Sequence, residues 1–346
     1  MRRAIVGLLV APMVWCAGRE TIVFDTDSGL FGDDGAALAM LLRSPAQVSI
    51  LGITLVPGNV WPAQGGEYML HILDLLKQPL LPLYTGAEEP LVHTQAMARE
   101  AEKRWGKLEF MGAFADDPSR VQPAPGTRRT GRKPRRGGVE FLIAEIERHP
   151  GEVTLLALGP MTNIALALRM KPNLETKIRR IIFMGGNIQV AGNASPAAEF
   201  NFWFDPEAAR IVLRSRIPKK VMFGLDVCNT APIRKQHFDE IVAAGTPLTE
   251  LYREDLGKRY PGFVRNPQAT AYMWDSLAAA YLLDPDFVTK TATHYLDVRT
   301  EWGKFYGSTI PLDRKLAPNA TPVLVAEQLD FRRVFQLYKE KLTKRD

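Results

Sequence analysis

Short apolar runs alternate with helical patterns along most of the chain. The apolar runs lie at 21–24, 47–55, 80–84, 153–158, 180–184 and 221–225, and each has the length of a β-strand. Helical patterns follow at 36–42, 63–76 and 139–148, and again after the turn at 159–163. Continuous apolar strands that alternate with helices are typical of a parallel sheet covered by helices on both faces. The pattern therefore predicts an α/β fold with an open, mostly parallel, doubly wound (Rossmann-like) sheet.

Two parts of the chain depart from this alternation. The C-terminal portion has an apolar helical pattern at 269–283, short strands at 294–298 and 323–326, and a last helix at 330–342, which predicts an added helical portion. The stretch 90–138 contains several prolines and glycines that disfavour long regular elements. It is interpreted as an irregular insertion at the edge of the sheet, within a single domain that spans residues 19–346.

An acidic turn follows the first predicted strand. It places Asp25, Asp27, Asp33 and Asp34 within ten residues, directly before the helix at 36–42. Like charges this close raise one another's pKa values unless a cation neutralises them. The simplest partner is a hard cation with oxygen ligands, such as Ca²⁺ or Mg²⁺. The alternative is an acidic helix cap with no bound ion.

Composition and charge narrow the function classes. The 346 residues are 46% hydrophobic and 24% charged, which suits a globular chain of one large or two small domains. The net charge of +6 has a local source, because six basic residues lie within 128–136. No nucleic-acid partner is therefore expected. The two cysteines give no disulfide framework.

The N-terminus has the pattern of a secretion signal. Arg2 and Arg3 precede an apolar body at 4–15, which is too short to span a membrane. We expect a signal peptide at about 1–18 and favour export, periplasmic or secreted, over a cytoplasmic location.

Two further stretches carry polar groups in apolar surroundings. Glu199, Asn201 and the upstream Asn193 could hold hydroxyl groups, with Glu199 and Asn201 on one face of an extended backbone and Phe200 on the other. Asp275 lies in the apolar run 271–283. If it were buried there without a partner, its charge would cost roughly several kcal/mol. Asp275 could therefore close the cation site begun by the acidic turn, or it could lie in the exposed first turn of a helix.

Taken together, these motifs resemble the nucleoside hydrolases in content and in order, from about residue 22 to at least residue 284. The motifs are Asp25-Thr26-Asp27 with Asp33-Asp34, Pro57-Gly58-Asn59, Leu158-Gly159-Pro160-Met161-Thr162-Asn163, Met184-Gly185-Gly186, Gly192-Asn193, Glu199-Phe200-Asn201, Asp205-Pro206 and Trp274-Asp275. The resemblance implies a Ca²⁺-dependent N-ribohydrolase that acts on ribonucleosides, on an open α/β sheet, and that assembles as a homodimer or homotetramer.

The resemblance also implies residue roles. Asp27, Asp34, Asp275 and the main-chain carbonyl of Leu158 would hold Ca²⁺, and Asp27 would be the base that activates water. The sugar would be held by the remaining polar groups, Asp33, Asn59, Asn193, Glu199 and Asn201, with Met184 packed beneath it. The aromatic side chains of Trp274 and Phe200 would lie beside the base. Carboxylates and amide oxygens would stabilise the positive charge of an oxocarbenium-like transition state.

The chain also departs from the usual motif. Ser28 replaces the usual proline, and Leu30-Phe31-Gly32 makes the acidic turn two residues longer. A histidine commonly precedes the last aspartate in relatives that accept pyrimidines, whereas Trp274 stands here, which resembles the purine-preferring branch. The five histidines, His93 among them, match no catalytic position and are interpreted as surface or core residues.

Two other function classes remain open from the sequence. A Mg²⁺-dependent phosphatase with Asp-x-Asp after its first strand would explain Asp25 and Asp27, but not Asp33-Asp34 or Glu199-Phe200-Asn201. A non-catalytic exported protein that binds nucleosides or sugars would fit if the longer turn has disabled the base.

Overall fold

The fold is described from a computed structural model for residues 18–29, 31–124, 127, 129, 131–259, 266, 268 and 270–345. The predicted signal peptide lies almost wholly outside the described residues, as does Leu30 in the acidic turn. The helices in the described ranges include none with the length and apolar character needed to cross a bilayer.

Within the described residues, ten strands form one sheet in the order β11-β10-β12-β7-β6-β5-β1-β2-β3-β4. All neighbours from β12 to β4 pair in parallel, and β10 pairs antiparallel with β11 and β12. This arrangement confirms the predicted mostly parallel sheet. The strands are β1 (Glu20–Thr26), β2 (Val48–Leu55), β3 (Leu83–Thr85), β4 (Arg135–Arg136), β5 (Val153–Ala157), β6 (Arg180–Met184), β7 (Lys220–Phe223), β8 (Pro232–Arg234), β9 (Thr270–Tyr272), β10 (Val288–Val298), β11 (Thr309–Pro311) and β12 (Pro322–Leu329), of which β8 and β9 form a separate antiparallel pair.

Helices cover both faces of the sheet. Side chains of β1 alternate between two apolar cores: Ile22 and Phe24 pack into one, and Val23 packs into the other. Both faces of β1 are therefore buried, as expected for a doubly wound sheet. The helices are α1 (Ala36–Leu42), α2 (Pro62–Leu75), α3 (Gln95–Trp105), α4 (Gly138–Arg148), α5 (Thr162–Met170), α6 (Phe200–Phe204), α7 (Pro206–Arg214), α8 (Leu225–Cys228), α9 (Lys235–Val242), α10 (Pro247–Arg259), α11 (Trp274–Leu283) and α12 (Phe331–Thr343).

The predicted helix at 269–283 is too long at its N-terminal end. Residues Thr270–Tyr272 form β9, which pairs with β8, and α11 begins only at Trp274. The apolar pattern of this stretch continues through the strand, so periodicity alone could not mark the boundary. Consequently Asp275 lies in the first turn of α11, yet it is buried rather than exposed.

The stretch 90–138 is more regular than predicted. It contains the eleven-residue helix α3, whose N-cap Thr94 accepts a hydrogen bond from the Met97 amide at 3.2 Å. Pro90 precedes α3 and the other prolines of this stretch follow it, so none of them interrupts the helix. Further along, the Ala113 amide donates to the Gly58 carbonyl at 2.7 Å, so this stretch also packs against the turn after β2.

His93 belongs to the aromatic core of this region. Its ring makes edge contacts with Phe114, Trp203 and Tyr306, and its Nδ1 lies 3.1 Å from the Trp203 carbonyl oxygen. Burial lowers the pKa of His93 from 6.5 to about 4. The buried ring is therefore neutral at pH 7, and its Nδ1–H donates to Trp203.

This burial predicts a pH-dependent contribution to stability. The unfolded chain takes up a proton at His93 below pH 6.5, whereas the folded protein resists it down to about pH 4. The neutral, buried His93 therefore makes its full contribution to the free energy of unfolding above pH 6.5. As the pH falls toward 4 this contribution is lost, which lowers the free energy of unfolding by about 3 kcal/mol. Urea unfolding of wild type and His93→Asn, which retains an amide donor, should show this difference between pH 7.5 and 4. Parallel pH profiles of the two proteins would contradict it.

Candidate active site

The predicted polar motifs meet at one edge of the sheet. Strands β6, β5, β1 and β2 are neighbours, and each is followed by one of the motifs: Met184-Gly185, Leu158-Gly159, Thr26-Asp27 and Gly58-Asn59. The carboxyl ends of parallel strands form the crevice in which open α/β sheets bind ligands. The order of the strands therefore explains why motifs far apart in sequence converge.

The acidic turn after β1 contains a five-residue π-helical turn, Phe31–Gly35, that leads directly into α1. Asp34 is fully buried, and it accepts hydrogen bonds from the Thr26 hydroxyl and from the Gly29 amide at 3.1 Å. Ser28 has a φ of +24°, an uncommon value for a residue other than glycine. The turn is thus tightly folded around the Asp34 carboxylate.

Three carboxylates form a cluster at this turn. Oxygen atoms of Asp33, Asp34 and Asp275 all lie within 4.8 Å of one another. Burial raises the pKa of Asp275 well above its ordinary value, and the nearby charges of Asp33, Asp34, Asp27 and Glu199 raise it further. Asp275, in the first turn of α11, therefore lies against the acidic turn.

Asp27 lies beside this cluster and is held by Asn59. The Asn59 backbone amide donates to Asp27 Oδ2 at 2.7 Å, and the Asn59 side-chain amide donates to Asp27 Oδ1 at 3.1 Å and to Asp34 Oδ2 at 3.3 Å. Burial raises the pKa of Asp27 well above its usual range, and the charge of Asp34 adds to the effect. The Asn59 side chain thus donates hydrogen bonds to both Asp27 and Asp34.

Two glycines allow the backbone to approach Asp27. A Cβ atom at Gly58 would lie 2.1 Å from Asp27 Oδ2, and one at Gly159 would lie 2.8 Å from Asp27 Cβ. Any larger residue at either position would displace the Asp27 side chain. The glycines of the Pro57-Gly58-Asn59 and Leu158-Gly159-Pro160 motifs therefore have a steric explanation.

The donor set fits a hard divalent cation. The cluster offers carboxylate oxygens from two separate elements, and burial together with neighbouring acids raises the pKa of Asp275 within the cluster and of Asp27 beside it. Ca²⁺ and Mg²⁺ take oxygen ligands of this kind. The cluster consists of Asp33, Asp34 and Asp275, whereas the sequence predicted Asp27 in the set and gave Asp33 to the sugar. Asp27 is adjacent, with both of its oxygens bonded to Asn59.

Asn201 connects the Leu158 carbonyl to the opposite side of the crevice. Its side-chain amide donates to the carbonyl oxygens of Leu158, at 2.9 Å, and Met184, at 3.1 Å. Leu158 itself donates its amide to the Asp25 carbonyl at 2.9 Å. The Leu158 carbonyl therefore lies between β1 and Asn201, and its second lone pair is not used by these contacts.

The sequence predicted an extended backbone at Glu199. Instead, Glu199 caps the short helix α6. Its carboxylate accepts from the amides of Asn201 at 2.8 Å, Phe202 at 3.1 Å and Gly186 at 2.8 Å. An acidic side chain that caps a helix satisfies its otherwise unpaired amides, which explains why the local pattern folds as a helix. Burial raises the pKa of Glu199, and these amides oppose that shift.

The remaining predicted residues have mixed surroundings. Asn193 accepts from the Phe200 amide at 2.8 Å, which anchors the loop before α6. Phe200 is buried in an aromatic cluster and contacts Phe110, with ring centroids 4.7 Å apart, so its contacts are those of packing. Trp274 is partly exposed, and its indole Nε1 is buried with no hydrogen-bond partner among the described residues.

Sequence reasoning missed several supporting residues. Asp255 on α10 accepts hydrogen bonds from the amides of Phe31 and Gly32, and no sequence signal links it to a turn 223 residues earlier. Asp226 accepts from the amides of Ile188 and Gln189, both at 2.7 Å. Thr26 could have been anticipated, because a hydroxyl between two aspartates is a natural donor to a neighbouring carboxylate.

Comparisons with known proteins agree with the fold. A family model described as inosine-uridine preferring nucleoside hydrolase matches residues 22–336. The chain is 34% identical over 328 residues to a Salmonella gallinarum protein named pyrimidine-specific ribonucleoside hydrolase RihA, covering 93% of this chain and 97% of that one. A solved inosine-guanosine nucleoside hydrolase is similar with a TM-score of 0.78 and 26% identity, covering 95% of this chain and 100% of the other. A purine-preferring ribonucleoside hydrolase from Gardnerella vaginalis is similar with a TM-score of 0.72 and 25% identity, covering 94% and 98%.

Proposed function

The chain belongs to the inosine-uridine preferring nucleoside hydrolase family and is a ribonucleoside N-ribohydrolase, and we propose that it depends on Ca²⁺ and prefers purine nucleosides. Family membership removes the Asp-x-Asp phosphatase and the non-catalytic binder from consideration. The observation that supports the cation is the cluster of Asp33, Asp34 and Asp275 beside Asp27. Ca²⁺ suits this cluster because the ion binds about six to eight oxygen ligands in a flexible geometry.

In this proposal Asp33, Asp34 and Asp275 hold the cation together with the Leu158 carbonyl, and Asp27 completes the set. Bound there, Ca²⁺ would offset the acidic charges, favour deprotonation of water and orient the ribose hydroxyls. Asp27 takes the proton from the attacking water. The two hydrogen bonds from Asn59 fix the direction of its carboxylate beside the cluster, as a general base requires.

The opposite side of the crevice supports the sugar. The side-chain NH2 groups of Asn59 and Asn201 already donate within the protein, so these residues offer their amide oxygens to ribose hydroxyls. Asn193, whose oxygen accepts from Phe200, offers its NH2 group, and the buried Glu199 holds the backbone that carries Asn201. Carboxylates near the anomeric carbon stabilise the positive charge that develops as the N-glycosidic bond breaks. In this proposal Met184 packs beneath the sugar, and its place beside Asn201, whose amide contacts its carbonyl oxygen and its sulfur, supports this role.

The purine preference rests on Trp274. It directly precedes Asp275 and is partly exposed, and in this proposal its ring stacks on the planar base. A bicyclic base offers more area to such a face than a pyrimidine does. Pyrimidine preference is the second candidate, because the 34% identical relative is named for pyrimidine nucleosides, whereas two solved structural relatives are named for purine nucleosides.

Replacing Trp274 tests this preference. Stacking of a base on an aromatic ring contributes about 1 to 3 kcal/mol, so Trp274→Leu should lower kcat/KM for inosine by roughly 5- to 150-fold. The value for uridine should fall less, and Trp274→Phe should restore part of the loss. Equal losses for inosine and uridine, or a wild type that prefers uridine, would contradict the purine proposal.

We also propose export and self-association. The charged head and apolar body at 1–18 support an exported precursor, and the resemblance supports a homodimer or homotetramer. N-terminal sequencing of protein from the periplasm and light scattering of the purified enzyme would test the two points separately.

A further inference from the structure

The longer acidic turn is supported by a helix that lies far away in the sequence. Asp255, on α10, accepts hydrogen bonds from the amides of Phe31 at 3.2 Å and Gly32 at 2.7 Å, both through its Oδ2 atom. Phe31 and Gly32 belong to the segment that makes this turn longer than the usual motif. The extra residues therefore have a specific partner.

These two amides need a partner from outside the turn. Amides at the start of a helical segment have no carbonyl of their own helix to donate to. A buried amide without a partner would cost about 1 to 3 kcal/mol. Asp255 is itself buried, so its carboxylate replaces water as the acceptor. It thereby fixes the backbone of Phe31 and Gly32, the two residues directly before Asp33-Asp34.

A second contact from α10 holds the same turn. Tyr252 lies three residues before Asp255, on the same face of the helix, and its ring packs edge-on against Phe31 with centroids 5.7 Å apart. Tyr252 also packs against Phe238 of α9 and Tyr338 of α12. Because two other helices hold this face of α10, the position of the turn is fixed by the helical layer and not by β1 alone.

Cation binding requires the turn to be held in place. Asp33 and Asp34 are carried by the turn, whereas Asp275 is carried by α11, so the distance between these acids depends on how the turn is held against the helices. Ionised carboxylates whose oxygens lie within 4.8 Å of one another also repel. A turn without an external support could relax away from Asp275.

We infer that Asp255 is a positioning residue that fixes Asp33 and Asp34 in the geometry that binds the cation. This inference rests on the proposed Ca²⁺ site and adds to it a residue outside the ligand set. Asp255 touches neither substrate nor the reacting atoms. Its effect passes through the backbone of Phe31 and Gly32.

The test compares Ca²⁺ binding by metal-free wild type, Asp255→Ala, Asp255→Asn and Asp226→Ala, using isothermal titration calorimetry. Loss of a group that supports metal ligands typically weakens affinity by about 10- to 100-fold, and we expect this increase in Kd for Asp255→Ala. Asp255→Asn keeps the side-chain shape and one acceptor oxygen, so its Kd should lie between those of wild type and Asp255→Ala. Asp226→Ala is the matched control, because Asp226 also accepts from two successive amides, but in the loop at 188–189. Its Ca²⁺ affinity should remain that of wild type.

A second readout separates positioning from simple stabilisation. If Asp255 positions the acids, excess Ca²⁺ should restore kcat of Asp255→Asn toward the wild-type value, because the cation itself draws the acids together. A lower melting temperature with unchanged Ca²⁺ affinity in both Asp255 variants would overturn the inference and leave the Ca²⁺ site intact. If wild type bound no Ca²⁺, the proposed cation would be wrong and the inference would fall with it. Circular dichroism identifies any variant that fails to fold, and Asp255→Asn then decides the matter.

Discussion

Replacing Asp27 by Asn is expected to lower kcat/KM for ribonucleoside hydrolysis by about a thousandfold or more, at the upper part of the range for loss of a general base. Asn cannot accept the proton of the attacking water, although it has the same shape as Asp. The two Asn59 hydrogen bonds end on Asp27, and two glycines pack closely against it, so the isosteric change leaves little room for a water molecule to replace the lost group.

The same substitution should stabilise the metal-free protein. Asp27 is buried beside Asp34, and its pKa is raised by that burial and by the neighbouring charge. An uncharged side chain removes this repulsion. We therefore expect a higher melting temperature for metal-free Asp27→Asn than for metal-free wild type, together with the loss of activity. Asp205→Asn is a useful comparison, because Asp205 is also buried but its Oδ2 accepts from the Leu91 amide and the Thr162 hydroxyl, which an NH2 group cannot do; it should lose stability. Near-wild-type activity of Asp27→Asn would refute the role of Asp27 as the base.

Removal of Ca²⁺ is the second large expected effect. Metal-free enzyme should have no measurable activity, and Ca²⁺ should restore it. Binding to the folded state alone should raise the free energy of unfolding by about 3 kcal/mol at roughly 100 times the Kd. Thermal unfolding with and without Ca²⁺ measures this directly. An unchanged melting temperature and full activity after chelation would show that no such cation is needed.

Binding of Ca²⁺ should also depend on pH in a definite direction. Burial and mutual repulsion raise the pKa values of Asp27 and Asp275, so the metal-free protein retains protons that the unfolded chain would release. The cation favours the ionised acids and displaces those protons. Affinity should therefore rise with pH, and calorimetry in two buffers of different ionisation enthalpy should detect proton release. Binding without proton release would contradict the raised pKa values.

Most of the fold could be predicted from the sequence because the patterns that indicate strands and helices are local. The apolar strands and following helices determine the sheet, and all six strands predicted before residue 226 are present. Convergence of the motifs follows from the rule that parallel strands place their carboxyl ends at one edge. Asp275 was located by a simple conflict between a charge and its apolar neighbours.

The errors have equally physical causes. Glu199 and Asn201 looked extended because alternating polar and aromatic residues fit a strand, but the Glu199 carboxylate satisfies the amides that start α6. The predicted helix began too early because the three-residue strand β9, Thr270–Tyr272, leads into α11 with no strong sequence signal for the boundary. The support from Asp255 could not be predicted, because it depends on how α10 packs against the acidic turn. A single domain and the roles of individual site residues stay predictions.

The most direct test of the account is release of ribose by the purified full-length protein from inosine, adenosine, guanosine and uridine, measured with Ca²⁺ and after its removal. We predict hydrolysis that requires Ca²⁺, with larger kcat/KM values for the purine nucleosides. No release of ribose from any of the four nucleosides in the presence of Ca²⁺, or equal release after chelation, would contradict the central claim.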